Sequence, residues 1–304
     1  MVRTWVPTQQ VADGLAGLAG VAVDVVAPDG GELPESAAEV EFYVPPFFPS
    51  PAAIDALAQL PRLRVVQTLT AGVDRLIPRM PAGAVLCNAR GAHDASTAEW
   101  VVAAILASVR DFPYFAREQA AARWSYRHTG CLTGKTVLII GYGSIGAAVE
   151  RRLGPFEVEV LRVARTARSG VSPVSEIPGL LGRADVVVLL VPVTADTIGM
   201  ADAAFLSHMK DGALLVNAAR GSVVVTDALC AELRTGRLSA VVDVTDPEPL
   251  GPQHPLWSMP NAFITPHVAA STPASSSAAL TLVREQVSRF LSGEQLVNVI
   301  TGDY

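Results

Sequence analysis

Three residues in the C-terminal half, Arg220, Glu248 and His267, each follow a short apolar run that reads as a strand. An arginine can clamp a carboxylate with a planar pair of donors, and a histidine can exchange a proton with a carbonyl oxygen. A glutamate beside that histidine can hold it in its charged form. Together these residue types suit carbonyl reduction by hydride transfer, and the turn Gly141-Tyr142-Gly143-Ser144-Ile145-Gly146 supplies a place for the hydride carrier.

The glycine turn gains weight from its neighbours. Residues 136–140, Thr-Val-Leu-Ile-Ile, read as a buried parallel strand, and residues 147–153 as a helix with Val149 and Leu153 four apart. Gly141 permits the tight turn, Gly143 lets backbone approach a pyrophosphate, and Gly146 lets helix pack on strand, with Ser144 and Ile145 at the helix start. A second strand over 159–163 completes a dinucleotide-binding unit.

At the end of that strand, where an acidic residue would bind ribose hydroxyls, the chain has Ala164, followed by Arg165 and Arg168. Arginine there suits a 2′-phosphate, so NADP(H) is favoured and NAD(H) remains possible. The plainer reading of Arg165 and Arg168 is a pair of solvated loop cations.

The chain must also position these groups. Strands over 4–6, 21–26, 41–44, 65–69 and 85–87 suggest a small α/β domain of flavodoxin-like type. Helices are expected over 96–110 and 112–124, and further strands over 185–193, 214–216, 240–244 and 262–265. With the two strands around the glycine turn they give a six-stranded doubly wound Rossmann sheet. The expected division is 1–95 with 286–304 as substrate domain and 96–285 as the NAD(P)-binding domain, with a last helix over 273–291 returning the chain to the first. Ligands of such sheets lie beyond the carboxyl ends of the strands, where Arg220, Glu248 and His267 all fall.

Composition narrows the partners. With 304 residues, half of them hydrophobic, the chain can build two cores, and its net charge of −6 indicates no nucleic-acid surface. No apolar stretch approaches membrane-spanning length and the N-terminus has no signal-peptide run, so a cytoplasmic protein is expected. Cys87, Cys131 and Cys230 show no metal or disulfide spacing and read as small buried hydrophobes, and no metal site is expected. His93, His128, His208 and His254 lack the context of His267.

The glycine turn, Asn217-Ala218-Ala219-Arg220-Gly221, Asp243-Val244-Thr245-Asp246-Pro247-Glu248-Pro249 and Thr265-Pro266-His267-Val268 resemble, in order, the motifs of the D-isomer-specific 2-hydroxyacid dehydrogenase family, of the glyoxylate/hydroxypyruvate reductase kind. The resemblance implies an NAD(P)-dependent enzyme reducing a small 2-keto acid to the D-2-hydroxy acid. It makes Arg220 the binder of carboxylate and carbonyl, His267 the acid-base and Glu248 its partner. Asp243 resembles the residue that orients the nicotinamide carboxamide, and Val191, Pro192 and Ala218 complete the implied cofactor contacts. Leu69-Thr70-Ala71-Gly72-Val73-Asp74 resembles the substrate-carboxylate loop, with Ala71, Gly72 and Val73 at the acid.

Other readings stay open. Taken singly, Arg220 could be a surface cation, Glu248 a turn residue and His267 a strand-end cap. A non-catalytic dinucleotide sensor or corepressor-like module could use the same scaffold. An amino-acid dehydrogenase would want a lysine in the cleft, and Lys135 and Lys210 are poorly placed; the formate dehydrogenases of the family carry glutamine in place of Glu248. The loop after residue 44 has no cation for a second anionic group, which disfavours phosphorylated substrates, while Phe47 and Phe48 either line an apolar pocket or join the core. A homodimer follows from the resemblance and from the apolar helical surface over 96–124.

Overall fold

The computed structural model describes residues 1–301, which divide into two units, Met1–His93 with the stretch from Pro273 onward, and Asp94–Thr272. In the first unit the Val-rich runs form five parallel strands: β1 (Val2–Val6), β2 (Val21–Val25), β3 (Val40–Tyr43), β4 (Val65–Gln67) and β5 (Val85–Cys87). Their order, β2-β1-β3-β4-β5, is the flavodoxin-like one. Such strands are apolar throughout because both faces are covered: Trp5, Tyr43 and Val66 pack on one side, Val6, Phe42 and Val65 on the other.

The C-terminal helix, Pro273–Ser292, covers the second of these faces with Val283 and Val287, both buried against Val6, Val11 and Phe42. Burial of two such side chains contributes about 3–6 kcal/mol. The division therefore falls at 272/273, ahead of the helix, in place of the expected 285/286 inside it, and at 93/94 in place of the expected 95/96. Gln286, wholly buried on this helix, donates from Nε2 to Gln67 Oε1 at 2.8 Å and to the Val297 carbonyl at 2.9 Å. Gln67 in turn donates to the Thr68 carbonyl at 2.8 Å, so a chain of satisfied buried amides ties the helix to the end of β4.

The second unit has seven parallel strands: β6 (Thr136–Ile140), β7 (Glu159–Ala164), β8 (Ser172–Pro173), β9 (Val186–Leu189), β10 (Leu214–Asn217), β11 (Ser239–Val242) and β12 (Ala262–Ile264). Their order is β12-β11-β10-β9-β6-β7-β8, a doubly wound sheet whose winding reverses between β6 and β9. The two-residue β8 is a seventh strand beyond the six expected. β9 stops at Leu189, short of the expected 193, because the Leu190–Val191 peptide turns across the Cα of Gly141.

Helices Asp94–Val109 and Ser144–Leu153 cover one face through Ala98, Val101, Ile105, Val149 and Leu153, and helix Thr226–Thr235 covers the other through Leu229 and Leu233. Lys135 and Lys210 both pair with Asp185, at 3.6 and 2.7 Å, before the amino ends of β6 and β9. They thus lie at the edge of the sheet opposite the glycine turn. Cys87 and Cys230 are buried as expected, but Cys131 is exposed, since it sits in the irregular segment ahead of β6. No helix among the described residues is long and apolar enough to cross a membrane.

Candidate functional site

The second unit gathers its chemical residues on the loops after β10, β11 and β12. After β10 the chain turns at Arg220, which is half-buried, and Asn217, itself buried, makes the turn: Asn217 Nδ2 donates to the Arg220 carbonyl at 3.0 Å and its Oδ1 accepts from Ala219 N at 3.0 Å. Arg220 Nη1 donates to the Ala219 carbonyl at 2.8 Å. Gly221 follows because nothing larger fits: a Cβ there would lie 1.9 Å from the Thr245 carbonyl oxygen. The Arg220 loop is thereby packed backbone to backbone on the loop that carries Glu248, and Thr226 Oγ1 reinforces the join by donating to the Asp246 carbonyl at 2.8 Å.

His267 and Glu248 meet. Their Nδ1 to Oε1 distance is 2.7 Å, with both side chains part-exposed. A carboxylate only accepts, so Nδ1 carries the proton and proton exchange with a substrate falls to Nε2. The backbone of His267 is in the left-handed region, φ 55°, a conformation that costs a non-glycine residue about 1–3 kcal/mol and persists only when its surroundings impose it.

Asp243 supplies the imposition. Its carbonyl accepts from His267 N at 2.7 Å. Its carboxylate accepts from Thr265 Oγ1 at 2.6 Å, Val268 N at 2.8 Å and Ala269 N at 2.9 Å. Three of the roughly four lone-pair positions of the Asp243 carboxylate thus serve the histidine turn. This buried scaffold role had no sequence signal, because its partners lie more than 20 residues downstream.

The glycine turn has the form its sequence suggests. Gly141, φ 100°, leaves no room for a Cβ, which would meet the Leu190 carbonyl carbon at 2.5 Å and Val191 N at 2.7 Å. Gly146 sits 3.1 Å from the Gly141 carbonyl oxygen and 3.2 Å from Ile139 by the same measure, so helix and strand pack closely. Gly143, by contrast, caps the helix Ser144–Leu153 with open space around its would-be Cβ. An exposed glycine at a helix N-terminus, facing nothing, fits an approaching pyrophosphate. Ile145 packs at the rim of the core, and Ser144 Oγ donates to Asp94 at 3.0 Å. Val191 and Pro192 follow β9, and Ala218 follows β10, donating to the Leu189 carbonyl at 3.3 Å.

Beside the turn, Ala164 ends β7 half-buried, and Arg165 and Arg168 are exposed beyond it. Arg168 Nη2 donates to the Tyr142 carbonyl at 2.6 Å and its guanidinium lies 5.6 Å from the Tyr142 ring centre. Arg162, unlike these two, points to Glu150, whose carboxylate also accepts from the Tyr142 hydroxyl. The Arg162 bond holds the Glu150 carboxyl below its usual range. The Tyr142–Glu150–Arg162 knot was not foreseen from sequence.

In the first unit the loop Leu69 to Asp74 leaves β4. His93, whose sequence context carries no signal, is buried with Nε2 2.8 Å from the Leu69 carbonyl oxygen, and Asn88 Nδ2 donates to the Ala71 carbonyl at 2.7 Å. Val73 is buried in the core, while Ala71 and Gly72 are half-exposed. Phe47 stacks edge-on to His93 at 5.8 Å, and Phe48 is exposed, outside the core.

Residues 102–269, the greater part of the second unit, match the family model described as D-isomer specific 2-hydroxyacid dehydrogenase, NAD binding domain. The chain belongs to the D-isomer specific 2-hydroxyacid dehydrogenase family. It is 32% identical over 249 residues to a glyoxylate reductase of Thermofilum pendens, covering 77% of this chain and 74% of that one. A D-isomer specific 2-hydroxyacid dehydrogenase of Xanthobacter autotrophicus Py2, solved with NADPH and MES, superposes with a TM-score of 0.86 at 30% identity, over 99% of this chain and 98% of that one. The NADPH-dependent glyoxylate/hydroxypyruvate reductase SmGhrA of Sinorhizobium meliloti, solved with NADP and sulfate, gives 0.85 at 28%, with 99% and 98% covered. Against D-3-phosphoglycerate dehydrogenases the match is also partial: the chain spans 47% of the length of the Archaeoglobus fulgidus protein, at 32% identity and 78% of this chain. Membership makes the chain an NAD(P)-dependent 2-hydroxyacid dehydrogenase, and the pairing of both lysines with Asp185 is at odds with a lysine-based amino-acid dehydrogenase.

Proposed function

We propose that this member of the 2-hydroxyacid dehydrogenases reduces a small 2-keto acid, of the size of glyoxylate or hydroxypyruvate, with NADPH preferred over NADH. The observation that carries the reading is the 2.7 Å bond from His267 Nδ1 to Glu248, which fixes the tautomer and leaves proton delivery to Nε2. Glu248 stabilises the imidazolium, and Arg220 grips the substrate carboxylate and polarises the keto oxygen. In the first unit, the N–H groups of Gly72 and Val73 take the carboxylate. The glycine turn, with Val191, Pro192 and Ala218, holds the cofactor, and Arg165 and Arg168 meet its 2′-phosphate beside the small Ala164. When bound, the dihydronicotinamide supplies the hydride.

Size selection rests on the small-acid relatives, since both reductases reported above act under the names glyoxylate or hydroxypyruvate reductase. The NADPH preference rests on the two exposed arginines and the missing acidic residue. Initial rates with glyoxylate, hydroxypyruvate, pyruvate and phenylpyruvate, each with NADPH and NADH, test the reading: turnover of a small 2-keto acid with NADPH is expected, and no turnover of any would overturn it. A homodimer is proposed as well, because Phe112, Trp124 and Tyr126 expose their rings on the second unit. Light scattering of a monomer at micromolar concentration would rule it out.

A further inference from the structure

The loop proposed to take the substrate carboxylate has four successive carbonyls occupied from within the first unit. Leu69 O lies 2.8 Å from His93 Nε2, and Thr70 O accepts from Thr68 Oγ1 at 2.7 Å and Ala89 N at 2.9 Å. Ala71 O accepts from Asn88 Nδ2 at 2.7 Å, and Gly72 O from Thr70 Oγ1 at 2.9 Å. In a trans peptide the N–H points opposite to the C=O. Bonding of the Ala71 and Gly72 carbonyls to Asn88 and Thr70 therefore turns the N–H groups of Gly72 and Val73 away from those two partners. Backbone N–H groups are donors that an anion can take.

Two of the braces are side chains from one segment, 88–93. Asn88 is held at both ends: while Nδ2 donates to Ala71, its Oδ1 accepts from Arg90 N at 3.1 Å. His93 faces a carbonyl, which only accepts, so its Nε2 carries a proton. Both residues are buried, at 5% and 4% exposure, where a hydrogen bond lost from either side chain is costly.

We infer that Asn88 and His93 are positioning residues for substrate binding, which set the Leu69 to Val73 backbone so that its N–H groups meet a carboxylate. The inference rests on the proposed function and deepens it, giving the chain a determinant of acid recognition that touches no substrate. Removing one brace frees a peptide to rotate and weakens the carboxylate contact without altering proton transfer at His267.

The test compares glyoxylate with its methyl ester, which lacks the negative charge, in wild type, Asn88→Ala, His93→Ala and His93→Gln. The glutamine keeps a donor near the position of Nε2. Each alanine variant is expected to raise KM for glyoxylate about tenfold, with kcat within about twofold of wild type, the ester KM unchanged and NADPH affinity, read by fluorescence, unchanged. His93→Gln is expected to restore most of the loss. Equal rises for acid and ester, a shift in NADPH affinity, or no rescue by glutamine would show a merely structural role and overturn the inference. Unchanged glyoxylate KM in both alanine variants would also overturn it, while a wild type that discriminates acid from ester leaves the carboxylate reading standing. A wild type that treats acid and ester alike ends the carboxylate reading itself, and one that reduces neither ends the proposed function.

Discussion

The loops after β10, β11 and β12 in the second unit and the loop after β4 in the first do opposite things with the same materials. In the second unit side chains are aimed outward by buried backbone and by Asn217 and Asp243. In the first, side chains are buried as braces and the backbone is what is presented. Side-chain chemistry is selective for a reaction and should govern kcat. Backbone donors recognise charge and should govern KM.

The largest effect expected of this contrast is at His267. His267→Ala should lower kcat about 10²- to 10⁴-fold with cofactor affinity retained, measured by steady-state rates and fluorescence titration. A variant that raised KM alone would dissolve the contrast. Arg220→Lys should fall nearly as far, since an ammonium cannot reproduce the planar fork of donors.

A second test compares two glycines of the second unit. Gly221→Ala would drive a Cβ into the Thr245 carbonyl and should displace the loops of both Arg220 and Glu248, cutting kcat/KM at least about 10²-fold and lowering Tm. Gly143→Ala, with open space around it, should lower Tm by no more than about 2–4 °C, the cost of a poorer helix cap, and weaken cofactor binding. Equal Tm losses in the two variants would refute the distinction.

Cofactor choice should respond more gently. Ala164→Asp combined with Arg165→Ala is expected to move the ratio of kcat/KM for NADPH over NADH toward NADH by about 10- to 100-fold, as one charge-assisted contact is lost and a repulsive one gained. A wild type that prefers NADH, or a double variant that keeps the NADPH preference, would contradict it.

The smallest effect is one of stability. Arg162, bonded to Glu150, lowers the Glu150 carboxyl in the folded protein, so the pair's contribution is present above the ordinary carboxylate range and lost as pH falls through the depressed folded value. Glu150→Gln should cost about 1 kcal/mol, or about 2–4 °C in Tm, at neutral pH. The gap should close toward pH 3, and a gap that persists there would show that charge is not its source.

The contrast also explains what was legible in the sequence. Arg220, Glu248, His267 and the glycine turn announce themselves by residue type and by standing at strand ends, and runs such as 136–140 and 214–216 announce the strands. Asn88, His93, Gln67 and Gln286 do not, because an amide or imidazole buried as a brace looks no different in a sequence from one in a loop, and its partner can lie 219 residues away. β8 has two residues, too few for any periodicity. The placement of helix Pro273–Ser292 depended on which sheet Val283 and Val287 would meet, a tertiary fact that a helical repeat does not carry. Asp243 was legible as acidic and strand-terminal, yet its bonds to Val268 and Ala269 were not.

The first unit is interrupted in the chain by the whole of the second. During synthesis the second unit, continuous from Asp94 to Thr272, has every strand of its sheet before the ribosome reaches Pro273. The first unit emerges earlier but must wait. Until helix Pro273–Ser292 is made, Gln67 lacks the amide of Gln286 and the face carrying Val6 and Phe42 lacks Val283 and Val287. The nascent chain thus carries a sheet face covered only in part, by Val11 and Leu15, for the time taken to translate the second unit, some 10–40 s at ordinary elongation rates of about 5–20 residues per second.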